Sequence, residues 1–229
     1  KNTSLFRLGK TRFDGKALLK TCTNGSSELM SNISMSIVNM LYNFQLNRYA
    51  GENGIAAFGV MMYVNLVFLA VFIGYSAGTA PIVSYHYGAK NKGELKSLLK
   101  KSAVIIWISS AFMIITAQFL AYPLAKIFVG YDETLMELTL GGFRIFSVSF
   151  LFAGTAIFGS SFFTALNDGL TSALISFLRT LVFQAAAVMI LPVFFDVDGV
   201  WFSVAAAEFT AAVMTLMFVF GKKKKNGYL

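Results

Sequence analysis

Four ionisable side chains sit inside the apolar stretches of this sequence: Glu28, Arg144, Arg179 and Glu208. A charge in hydrocarbon is costly, so each such group either finds a partner or does a job. Glu28 lies in 22–46, CTNGSSELMSNISMSIVNMLYNFQL, where it shares the segment with amides and hydroxyls. On a helix at 100° per residue, Asn24, Glu28, Ser31, Asn32, Asn39 and Asn43 cover about a third of the circumference. That polar face is suited to lining a cavity, and Asn43, Asn65 and Met35 are its expected substrate-facing residues. Desolvation raises a carboxyl's pKa toward the physiological range, and nearby cations lower it. Glu28 is therefore placed to exchange a proton or a sodium ion. The plainer alternative is an interfacial glutamate, hydrated or paired with Lys20.

Glu208 sits among small residues in AAAEFTAA, where another helix can approach closely. Its expected partner is Arg144 or Arg179, or a backbone break that it caps. Arg144 is near a helix end and can snorkel. Arg179, Glu208 and Gln184 together form the expected structural set of buried polar groups. The amides of Asn65, Gln118 and Gln184 are isolated, and such groups either bridge helices or meet a ligand.

Catalytic and metal chemistry find no support in the pattern. One cysteine, Cys22, and one histidine, His86, exclude a disulfide within the chain and a Cys- or His-rich metal site. The G-x-S-x-G match at Gly74–Gly78 lies inside an apolar run and not at a strand-to-helix turn, so it makes no nucleophile elbow, and there is no glycine-rich loop before a Lys-Ser/Thr pair. The expectation is a non-enzyme with no metal and no cofactor beyond a coupling H+ or Na+. His86, beside two tyrosines, is expected in a surface loop. The net charge of +8 gathers at the ends of apolar runs, which suits a membrane and not nucleic acid.

The elements that position these residues are transmembrane helices. The chain is 56% hydrophobic and 13% charged, with mean hydropathy +0.67, whereas soluble domains are about a quarter charged. Apolar runs predict an all-α integral membrane protein with six spans, at about 22–46, 55–80, 102–128, 137–165, 170–194 and 200–221. Turns are expected at 47–54 and 195–199. Residues 93–101 are expected as an amphipathic lead-in to the third span, and the second is expected to end near Pro81, where a helix can kink and continue. Residues 1–21 form a basic linker, and 222–229 a basic tail. The basic residues before the first span, around 90–101 and after the sixth all fall on the side of the termini. The other side has Arg48 and Lys126 with Glu52, Asp132, Glu133, Glu137, Asp196 and Asp198. The positive-inside rule then places both termini in the cytoplasm. The sequence opens on Lys1 without a signal peptide, and is expected to be part of a longer polypeptide.

The second span and its exit, AGENGIAAFGVMMYV and GYSAGTAPIVSYHYGAKNKGELK, resemble the multidrug and toxic compound extrusion (MATE) family. Gly74, Gly78, Pro81, Ile82, Ser84, Tyr85, Tyr87, Gly88 and Ala89 match its bacterial pattern. GSSELMSNISMSIVNMLYN resembles the seventh of the family's twelve helices, with its membrane carboxylate at Glu28. LPVFFDVDGVWFSVAAAEF and SFLRT resemble later segments. The resemblance implies the C-terminal six-helix lobe of a two-lobe exporter in the cytoplasmic membrane. Its partners would be lipid, an N-terminal six-helix lobe of the same polypeptide, and small organic cations. Glu28 would carry the coupling ion, helped by Asn24, Asn32 and Asn39. Two departures are Ala80, where close relatives usually have Gln, and His86, where many have Asn. The helix at 137–165 has only Glu137, at its outer edge, where some members carry an internal carboxylate. The rival readings are a lipid-linked precursor flippase of related architecture and a non-transporting half-size membrane protein.

Overall fold

The computed structural model describes residues 13–222, apart from the side chains of Asn24, Ser26, Ser27, Glu28, Met30 and Ser31. The calls on 1–12 and 223–229, and on the side chains of Glu28 and Asn24, therefore lie outside the described residues. The described chain is helical almost throughout. One element, Gly15–Gly88, is broken by Gly51 at φ 61°, ψ −152°. Only glycine adopts that backbone readily. The break divides the element into α1 (15–50) and α2 (52–88). Next come α3, Lys92–Val129, and α4, Glu133–Ala165, which contains a 3-10 turn at Ser147–Ser149. A second merged element breaks at Asp196, φ 48°, ψ −130°, which separates α5 (169–195) from α6 (197–221). Across that break a Cβ on Gly199 would meet the Leu191 carbonyl oxygen at 2.5 Å. Among the described residues, five helical elements are long and apolar enough to cross a membrane. The first of these, Asn32–Gly88, has 57 residues, and one crossing needs about 20. Split at Gly51, it brings the number of spans to six.

Several boundaries differ from expectation. The turns expected at 47–54 and 195–199 each contract to a single non-helical residue. Residues 93–101 are the first turns of α3, started by Asn91, whose Oδ1 accepts from the Glu94 N–H at 3.2 Å. The first helix starts at Gly15, capped by the Asp14 carboxylate, which accepts from the N–H groups of Lys16 and Ala17. Pro81 does not end α2. The helix runs on to Gly88 because its last turns are packed: Val83 is buried, and the Ser84 hydroxyl donates to the Ala165 carbonyl at 3.0 Å. His86 therefore sits in a helix rather than a loop, with its ring edge-on to Tyr85.

The core has two parts. One, on the side away from the termini, joins Tyr42, Phe58, Met61, Phe143, Phe146 and Trp201. The other, on the terminal side, joins Val83, Leu95, Ile106, Phe162, Ile175 and Val219. Side chains also tie helices together. Tyr42 OH pairs with Ser203 Oγ at 2.8 Å between α1 and α6. Gln45 donates to the Val188 carbonyl between α1 and α5. Gln118 donates to the Arg144 carbonyl and to Ser147 Oγ, which binds α3 to the 3-10 turn. Gln118 is thus helix glue, and Arg144 is exposed on the surface of α4.

On the terminal side Lys222 reaches Asp168 at 2.9 Å and also the Thr171 hydroxyl, closing α6 onto the start of α5. Burial pulls the Asp168 carboxyl up, but hydrogen bonds from Lys222 and Thr171 outweigh it and hold it below its ordinary value. A lowered folded-state pKa stabilises above the ordinary carboxylate range, and the gain is lost as pH falls through the lowered value. Asp168→Asn is expected to cost about 1 kcal/mol at neutral pH. The difference in melting temperature from the unaltered protein should close in acid; a gap that is the same at both pH values would exclude the ion pair as its cause.

Candidate functional site

α1, α2, α4, α5 and α6 line a partly open cavity of about 590 Å³. Its lining follows from helical spacing. Gly25, Asn32, Met35, Asn39 and Tyr42 recur along one face of α1, and Phe58, Met62, Asn65, Leu69 and Ser76 along one face of α2. Cα of position 28 lies three residues beyond Gly25 and four before Asn32, on that same face of α1. Its side chain is outside the described residues.

The structure gathers Asn32, Asn39, Asn65, Met35, Arg179, Gln184 and Glu208 around this cavity. Asn43 is left out: it is exposed, next to the exposed Phe44. It stands at the edge of the polar arc, where a small rotation of the helix turns it away. Of the partners open to Glu208, Arg179 is the one it meets. Arg179 Nε donates to both carboxylate oxygens, at 2.8 and 3.1 Å. The Glu208 side chain is 4% exposed and that of Arg179 15%.

Arg179 stands in a π-helical turn, Leu178–Phe183. Such turns are wider than α-helical ones and gather at functional sites. Beside it runs a ladder of hydroxyls that sequence reading missed. Ser160 pairs with Ser172 and with Ser176, each at 2.9 Å, and Thr164 pairs with Ser172 at 2.6 Å. The ladder zips α4 to α5, and Ser160, Thr164 and Ser176 border the cavity. Nothing marks these residues in the sequence, because Ser and Thr are scattered across two spans. Ser76 Oγ, on the α2 wall, is buried and has no hydrogen-bond partner among the described residues.

Amides and hydroxyls share the lining with Val38, Phe58, Leu69, Ile73 and Phe146, the mixture an amphipathic guest requires. Among the described residues no three His, Cys, Asp or Glu side chains converge on a point where a metal could sit.

These features define a multi-pass helical membrane protein with an amphipathic cavity between its helices. The MatE family profile matches residues 29–190, and the chain belongs to that family. No curated protein matches the chain. Among solved structures, a MATE in complex with MaL6 superposes with TM-score 0.87 at 20% identity, over 95% of this chain and 49% of that one. A MOP superfamily transporter from Pyrococcus furiosus, described as having a binding pocket of reversed polarity, gives 0.85 at 20% identity, over 93% and 48%. The outward-facing conformation of a multidrug resistance MATE family transporter gives 0.84 at 20% identity, over 93% and 48%. At such identities the likeness is one of fold. The chain spans about half the length of these solved transporters.

Proposed function

We propose that this chain is the C-terminal half of a proton- or sodium-coupled exporter of organic cations and amphipathic drugs. The observation that carries the reading is the cavity of about 590 Å³, lined by amides and hydroxyls together with apolar side chains, within a lobe half the length of the matched transporters. The missing half would be an N-terminal six-helix lobe of the same polypeptide. The protein would lie in the cytoplasmic membrane with both termini of this chain inside, as its basic flanks suggest. Transport would proceed by alternating access. Ion binding and substrate binding would each favour one of two arrangements of the lobes, and the difference in affinity would drive the change. Glu28 is the proposed coupling group, with Asn24, Asn32 and Asn39 beside it. Arg179 is the one cation among the residues lining the cavity, and Glu208 neutralises it. That arrangement suits an organic cation better than the pyrophosphate of a lipid-linked precursor.

The full-length protein, reconstituted in vesicles, should move a cationic dye against an imposed proton or sodium gradient. Glu28→Gln should bring gradient-driven transport down to the level of protein-free vesicles and leave dye binding in place. Coupled transport that survives Glu28→Gln would remove this residue from the mechanism. Absence of transport by the unaltered protein under either gradient would refute the exporter itself.

A further inference from the structure

A second cavity, of about 300 Å³, opens on the outer surface of the lobe between α3, α4 and α6. It is separate from the central cavity. Ile106 and Phe158 form its floor, and Trp107 and Leu216 its walls. Lys96 and Lys100 stand one turn apart at its terminal-side end. Neither lysine has an ion pair with a described residue; the pairs present are Arg179–Glu208 and Lys222–Asp168.

The dimensions are those of one leaflet. From Lys96 to Trp107 the helix rises roughly 16 Å at 1.5 Å per residue. Half of a bilayer's hydrocarbon core is about 15 Å. The groove thus begins at two lysines that form no ion pair with a described residue and ends near the mid-plane, lined by apolar side chains. Basic pockets between helices on the cytoplasmic face suit anionic headgroups, and long lysine stems reach up to the headgroup layer.

We propose that this groove is a site for a phospholipid with an anionic headgroup: the phosphate lies against Lys96 and Lys100, and one acyl chain runs down past Trp107. Two lysines at one end and an apolar lining over the rest match the two chemistries of that one molecule, an anionic headgroup and an acyl chain. The proposal rests on the membrane placement of the helices and not on transport, so either can fail alone.

Trp107 provides the test. It is 44% exposed, whereas Trp201, the chain's other tryptophan, is 1% exposed. The full-length protein is reconstituted in vesicles containing acyl-brominated phosphatidylglycerol or acyl-brominated phosphatidylcholine at equal mole fraction. The Trp107 signal is the difference between the unaltered protein and Trp107→Phe. Quenching should favour the anionic lipid by roughly tenfold in apparent affinity. Lys96→Gln with Lys100→Gln should bring the two lipids to parity while quenching persists. Equal quenching by both lipids in the unaltered protein would overturn the proposal, as would a preference that survives the double substitution. Quenching by neither lipid would mean that another protein segment covers the groove, and would overturn it too.

Discussion

Replacing Glu208 by alanine should lower the unfolding free energy by about 3 kcal/mol, while removing both charges should recover most of that loss. Among the described residues, the Arg179 guanidinium is held by the Glu208 carboxylate alone, through Nε at 2.8 and 3.1 Å. Without Glu208 a permanent cation is left within the lobe with its side chain 15% exposed. The cavity beside it can hydrate the group in part, so the loss falls at the lower end of what breaking a buried pair costs. Arg179→Met with Glu208→Leu leaves neither charge to be compensated. Thermal unfolding of the unaltered, single and double variants in one detergent supplies the comparison. A double variant as unstable as Glu208→Ala alone would show that the pair is held for another reason, such as packing around the π-helical turn.

The pair also shows where sequence reading stops. Six spans were legible because apolar runs and flanking charges repeat along the whole chain. The breaks were placed too broadly because composition marks a region, whereas the chain turns on one residue. Asn47 to Ala50 look like loop residues yet remain helical, and Gly51 alone carries the positive φ. At 208 the sequence offered two arginines. Choosing between them requires the rotation of α4 and α5, and no pattern within one helix supplies that. The π-helical turn adds a physical reason. At 100° per residue, Ser176 and Gln184 are about 80° apart. A wider turn brings such positions together, and Ser176, Thr180 and Gln184 all line the cavity. The hydroxyl ladder was invisible for a related reason: its members matter through partners on another helix. The polar face of α1, by contrast, was legible because its whole signal lies within one helix, and Asn32 and Asn39 do line the cavity.

Gly159→Ala should destabilise the lobe by about 2 kcal/mol, the usual scale of overpacking, and Thr215→Ser should reverse most of it. A Cβ built on Gly159 overlaps Thr215 Cγ2, at the crossing of α4 and α6. Thr215 is 1% exposed, and its hydroxyl donates to the Ala211 carbonyl at 2.7 Å, which fixes the rotamer and leaves the methyl no easy way out. Serine keeps that hydrogen bond and removes the methyl. By itself Thr215→Ser should therefore cost little, and the two changes together should be far from additive. Gly141 and Gly142 form an internal control on α4. A Cβ at 142 would come within 2.8 Å of Met61 Cε and of Trp201 Cε2, and Trp201 is itself buried. A Cβ at 141 meets nothing within 4 Å. Gly142→Ala should then be destabilising, while Gly141→Ala should be neutral or gain up to about 1 kcal/mol from helix propensity. Unfolding midpoints of these variants separate close packing from propensity. If Gly159→Ala behaves like Gly141→Ala, α4 and α6 have room to move apart and the crossing is not fixed by contact at this point.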